Sequence, residues 1–118
     1  MKIAIAATEC TFSATVDSHF GHSHCFVIFE PDSDTVSFVP NPYRDDTEKA
    51  GEMTLQMLLK QGVSKIISLD FGKQIQPMMD QQKVQMIIVN SAMLQVDELI
   101  SMLRKSYQNS IKPKYKHS

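Results

Sequence analysis

The chain has 118 residues, 42% of them hydrophobic, enough for one compact core that needs neither disulfides nor a structural metal to close. Its 12 basic and 13 acidic residues leave a formal net charge of -1, which excludes a general electrostatic pull toward nucleic acid or an anionic membrane. No apolar run approaches the roughly 20 residues that cross a bilayer, and Thr8 and Glu9 interrupt the apolar start before a signal-peptide core is reached, so a cytoplasmic protein is expected.

The first predicted element is a strand at Ile3, Ala4, Ile5 and Ala6, continuously apolar as a central strand covered on both faces would be. A polar loop from Thr8 to His24 follows. It is longer than connections in small domains usually are, and such loops tend to carry function. Phe26–Glu30 and Thr35–Val39 read as a hairpin turning at Pro31-Asp32-Ser33-Asp34. Pro40-Asn41-Pro42 stops the second of these, and Asp45 with Glu48 three residues later has the form of a capping box. A helix over Thr47–Gln61 is expected, with Ala50, Met53, Met57 and Leu58 on one face and Gly62 as its stop.

Lys65–Leu69 predicts a strand broken by Asp70-Phe71-Gly72. A short helix over Gln74–Gln82 accommodates Pro77 only in its first turn, and Gln85–Val89 predicts another strand of the buried type. The spacing of Val96, Leu99, Ile100 and Leu103 marks a last amphipathic helix over 94–106, after which 107–118 is polar, basic and aperiodic and is expected as a loose tail. The order β-β-β-α-β-α-β-α predicts an α/β fold, ribonuclease H-like, with three layers. Its mixed five-stranded sheet should have strand order 3-2-1-4-5, strand 2 antiparallel, and helices on both faces. The loop after strand one, the start of the first helix and the loop after strand four then share one rim.

On that rim the sequence concentrates its chemistry. His19, His22 and His24, three of the four histidines, stand beside Cys25, with Gly21 letting the backbone turn tightly between them. Imidazole and thiolate suit zinc, copper, iron or an iron-sulfur type cluster, so His19, His22, Cys25 and Cys10 are the candidate metal ligands. His24 and Cys25 are adjacent, so within a strand only one of them can face a given site. A reduced intracellular setting accounts for two cysteines most simply, although a Cys10 to Cys25 bridge is also open. Gly51 and Gly72, near two helix starts, offer backbone amides to sulfide, phosphate or carboxylate.

Several stretches together resemble one family. They are the opening Met1-Lys2-Ile3-Ala4-Ile5-Ala6, the run Val16-Asp17-Ser18-His19-Phe20-Gly21 with Ser23 and Phe26 beyond it, Asn41-Pro42, Ala50-Gly51, Gly62 to Ile67, and Gly72. The chain is similar over nearly its whole length to the dinitrogenase iron-molybdenum cofactor biosynthesis family, whose most specific element is His-Phe-Gly. The resemblance implies a ribonuclease H-like domain, residues 1–106, that binds, carries or stores a metal-sulfur cofactor without chemistry of its own. It places His19, Phe20 and Gly21 at the cofactor, with His19 as the direct contact; His22 and the helix-start glycines Gly51 and Gly72 join them as candidate cofactor-binding residues on their own chemistry. Many members have arginine where this chain has His22, which exchanges a permanent fork of donors for a titratable donor or ligand. The cargo, whether it carries Fe, Mo, Cu or Zn, is not fixed by the sequence. The implied partners are the metal cofactor and a cofactor-assembly or acceptor protein, with no nucleic acid and no membrane. Two other readings stand beside this one: a metal-dependent nuclease drawing on Glu9, Asp45, Asp46, Glu48 and Asp70, and an interaction module without cofactor.

Overall fold

In the computed structural model, which describes residues 1–116, the described residues form one sheet and three helices. The elements run β1 (Lys2–Ala7), β2 (Cys25–Glu30), β3 (Thr35–Pro40), α1 (Ala50–Lys60), β4 (Val63–Ser68), α2 (Gln76–Gln81), β5 (Gln85–Ile88) and α3 (Val96–Lys116). The sheet order is β3-β2-β1-β4-β5, as the sequence predicts. β1 lies at its centre, antiparallel to β2 through Ile5 opposite Val27 and parallel to β4 through Ile5 opposite Ile67.

Because side chains alternate along a strand, β1 feeds two cores. Ala4 and Ala6, with Phe26, Ile28 and Ile66, pack under Leu55 and Leu58 of α1 and Met79 of α2. Ile3, Ile5 and Ala7, with Cys25, Val27, Phe29 and Ile67, pack under Val96, Leu99 and Ile100 of α3. The helices therefore cover both faces, α1 and α2 on one and α3 on the other. The small alanines of β1 leave room for the rings of Phe20 and Phe26, which meet edge to face at 5.6 Å.

Four expectations are corrected. β5 is an edge strand with Ile88 62% exposed rather than a buried strand, because no further strand follows it to cover that side. The first helix begins at Ala50, three residues later than expected, and the carboxylate that leads into it is Asp46, not Asp45. Asp46 Oδ1 accepts the backbone N–H groups of Glu48 at 2.9 Å and Lys49 at 2.8 Å. The last helix continues past Ser106 to Lys116, through most of the segment expected as a tail; residues 117 and 118 of that segment lie outside the described residues. Tyr107, placed in the expected tail, instead donates its hydroxyl to Asp32 at 2.8 Å and so docks α3 against the β2–β3 turn. Beside it Arg104 Nε reaches Asp34 Oδ1 at 2.7 Å. Fourth, Cys10 and Cys25 are joined in a disulfide rather than held as free thiols.

Candidate functional site

The long loop after β1 is built into the fold, because its backbone groups are paired at depth. Asp17 N–H donates to the Ala6 carbonyl at 2.7 Å, and the Asp17 carbonyl accepts Leu69 N–H at 3.1 Å and Ser68 Oγ at 3.1 Å. Asp17 thus rivets the loop across the ends of β1 and β4. Phe20, 1% exposed, then plunges into the core between Phe26 and Phe71, and its N–H reaches the Asp70 carbonyl at 3.3 Å.

Burial of Phe20 forces the next residue against α1. A Cβ on Gly21 would stand 2.6 Å from Gly51 N and 2.8 Å from Gly51 Cα, so only glycine permits this approach. The turn is held from below by buried polar side chains. Asn41 Nδ2 donates to the carbonyls of Gly21 and Ser23, each at 3.0 Å, while Thr54 Oγ1 reaches the Gly21 carbonyl at 3.2 Å and Asn41 Oδ1 at 3.3 Å. Ser23 Oγ returns to the Phe20 carbonyl at 3.1 Å. Among the described residues no buried side-chain nitrogen or oxygen lacks a partner.

The result is an open cavity of about 550 Å³ between the turn, the first turn of α1 and the loop that leads to α2. Gly21 and His22 form one wall, Ala50, Gly51 and Glu52 the second, and Phe71, Gly72, Lys73 and Ile75 the third. The amides of Ala50, Gly51 and Glu52 precede the first helical hydrogen bond, from Met53 N–H to the Lys49 carbonyl, and carry the positive end of the helix dipole. Gly72 takes a left-handed conformation, φ +78°, with its N–H on Asp70 Oδ1 at 3.1 Å. The charged lining is mixed, with Glu48, Glu52 and Lys73 all on the cavity. Beside it, the Asp46 carboxyl is held below its usual range by the backbone N–H groups of Lys49 and Glu48.

The histidines separate. His22 lines the cavity, and its Nδ1 lies 2.7 Å from the Arg44 carbonyl. A carbonyl only accepts, so Nδ1 carries the proton and a neutral ring presents Nε2 as a bare lone pair. His19 is exposed, lies outside the cavity lining, and has Nδ1 on Ser18 Oγ at 2.8 Å. His24 is exposed too and meets the Arg44 guanidinium through Nδ1. Cys25 lies fully buried in the core under α3, with Cys10 against the same core, so both sulfurs sit on the face opposite the α1 side that forms the cavity. A disulfide offers no thiolate, and in this state neither cysteine is a ligand. Among the described residues no group of three or more histidine, cysteine, aspartate or glutamate side chains converges as a metal would require. Of the four candidate ligands only Cys10 and Cys25 are brought together, by their own bond, and His19 and His22 join neither them nor each other in one site. What sequence reading missed is the Asn41, Thr54 and Ser23 support, whose outward signs were Ser23 after the His-Phe-Gly run and the Asn41-Pro42 pair.

With this geometry in view, the comparison with known families is decisive. The family model described as dinitrogenase iron-molybdenum cofactor matches residues 1–106. The chain belongs to that family. Solved structures share its fold: the apo form of the orange protein from Desulfovibrio gigas superposes with a TM-score of 0.79 at 19% identity, over 90% of this chain and 88% of that one. A NifB-like protein of the DUF35 family from Thermotoga gives a TM-score of 0.74 at 22% identity, over 90% and 89% of the two chains. At such identities the likeness speaks for the fold. No curated protein matches. Among the described residues no helix is long and apolar enough to cross a membrane.

Proposed function

We propose that this protein is a non-enzymatic, cytoplasmic carrier of a metal-sulfur cofactor in cofactor assembly, on a ribonuclease H-like domain, with the cargo held in the cavity between the Gly21 turn and the start of α1. The observation that carries the reading is the seating of Gly21 on Gly51, which sets the His-Phe-Gly turn of the family directly beside a helix N-terminus. Amides of that turn suit sulfide or another anionic surface, and His22 Nε2 adds one imidazole donor or ligand. Because side chains of the described residues do not assemble a full coordination sphere here, a preformed cluster that brings its own inorganic ligands fits better than a bare ion. The same deficit weighs against a two-metal nuclease, which requires several converging carboxylates.

The test is equilibrium titration of the purified protein with an iron-sulfur donor, Zn(II) and Cu(I), followed by visible absorption and metal analysis. Retention of a cluster by wild type and weakened retention by His22→Ala support the reading. Failure of the protein to retain any of the three, or equal retention by the variant, overturns the carrier role or the part of His22 respectively.

A further inference from the structure

Cys10 and Cys25 are joined by a disulfide, their Cα atoms 5.3 Å apart and 15 positions apart in sequence. The bond lies on the α3 side of the sheet and closes residues 11–24 into a ring whose far end, Gly21 and His22, lines the cavity on the other side. That ring is anchored unequally. From Val16 onward it holds buried Val16 and Phe20 and the paired backbone of Asp17, with Val16 N–H on the Leu94 carbonyl at 3.0 Å. Its earlier half is exposed at Thr11, Phe12 and Ser13, as is Glu9 just before the bond. Residues 11–13 rest on Asp97 N–H to the Phe12 carbonyl at 3.0 Å, Ala14 N–H to the Thr11 carbonyl at 3.3 Å, and an edge contact of Phe12 with Phe38 at 5.1 Å. The two cysteine residues are also unequal. Cys25 is fully buried, whereas Cys10 is partly exposed.

We propose that Cys10–Cys25 is a reversible redox site that reacts through Cys10 Sγ with a dithiol reductant. Its reduction frees residues 9–13 and the Phe12–Phe38 contact while leaving the cavity half of the loop in place. One reductant thiolate attacks Cys10 Sγ, a mixed disulfide forms, the bond between the protein sulfurs breaks, and Cys25 leaves as thiolate. The second reductant thiolate then attacks its partner sulfur in the mixed disulfide, releasing Cys10. Two electrons pass to the protein, two thiols form with the protons of the dithiol, and the reductant departs as its own disulfide. Attack on Cys25 is blocked because an in-line thiolate has no path to a sulfur with no exposed surface. The proposal is independent of what the cavity binds.

The experiment uses the whole protein, oxidised and after dithiothreitol under native conditions, with rate-resolved alkylation of each cysteine and hydrogen exchange by mass spectrometry. Expected are complete reduction without unfolding, faster alkylation of Cys10 than of Cys25, loss of protection at the Ala14 and Asp97 amides that donate to Thr11 and Phe12, and retained protection at Asp17 and Phe20. The double variant Cys10→Ser, Cys25→Ala should show the reduced exchange pattern and no response to dithiothreitol. Reduction only on unfolding, equal labelling of the two cysteines, unchanged protection at Ala14 and Asp97, or collapse extending to Asp17 and Phe20 would each overturn it. If the double variant does not fold, reduced wild type decides the matter alone.

Discussion

Asn41→Ala isolates the polar support beneath the Gly21 turn. The carbonyls of Gly21 and Ser23 accept only, so the amide nitrogen must face both, and Oδ1 is left for Tyr43 N–H at 3.1 Å and Thr54 Oγ1. Truncation strips the Ser23 carbonyl of its partner at a residue with no exposed surface, which costs about 1–3 kcal/mol, and the loss at half-buried Tyr43 brings the total to about 2–4 kcal/mol. The Gly21 carbonyl survives, because Thr54 Oγ1 still reaches it. Thr54→Val keeps the shape and leaves every acceptor one partner, so it should cost only about 0.5–1.5 kcal/mol. In the double variant the Gly21 carbonyl is orphaned, and the combined loss should exceed the sum of the singles by about 1 kcal/mol. Urea unfolding of the four proteins measures all three quantities. A loss below about 1 kcal/mol for Asn41→Ala, or strict additivity in the double variant, would refute the assignment of these bonds.

Two glycine substitutions should behave oppositely. Gly21→Ala drives a Cβ into the backbone of Gly51 and should destabilise by about 1–3 kcal/mol in the same unfolding assay. Gly51→Ala meets only Ile75 Cδ1 at 3.6 Å, an ordinary contact, so it should be neutral or more stable by up to about 1 kcal/mol while narrowing the cavity and weakening cofactor retention. Asp46→Ala tests the entry to α1. The folded carboxyl titrates below its unfolded value of 3.8, so its contribution is present above that pH and is lost as the pH falls through the folded value. The stability gap between wild type and Asp46→Ala should therefore close on acidification below pH 3.8; a gap that persists or widens there contradicts the bonds to Glu48 and Lys49.

The fold was legible because periodicity and punctuation agree: unbroken apolar residues in β1, a turn at Pro31 to Asp34, and the α3 stripe at Val96, Leu99 and Ile100 all occur where the sequence places them. What failed was local. Asp45 and Asp46 are equivalent to a pattern search, and only the path of the chain selects Asp46. The apolar run of β5 reads as buried because burial depends on which strand comes next, not on the strand itself. The ligand set failed for a related reason. Nearness in sequence brought His19, His22, Cys10 and Cys25 together on paper, but one plunging ring, Phe20, sends its neighbours to different sides of the loop. Cys25 meanwhile falls on the α3 face by strand alternation. The buried amide of Asn41 leaves no periodic trace at all.

The central position of β1 bears on how the chain is made. Both neighbours of this first strand are synthesised after it, and the parallel partner of Ile5 is Ile67. A nascent chain that has reached Lys60 holds β1, β2 and β3 as a meander, with the hydrogen-bonding edge of β1 open and Ile3 to Ala6 unshielded along it. An apolar open edge is a template for other chains. Folding must therefore wait for β4, a non-local pairing with its attendant delay, and a truncation ending before Val63 is expected to aggregate rather than fold.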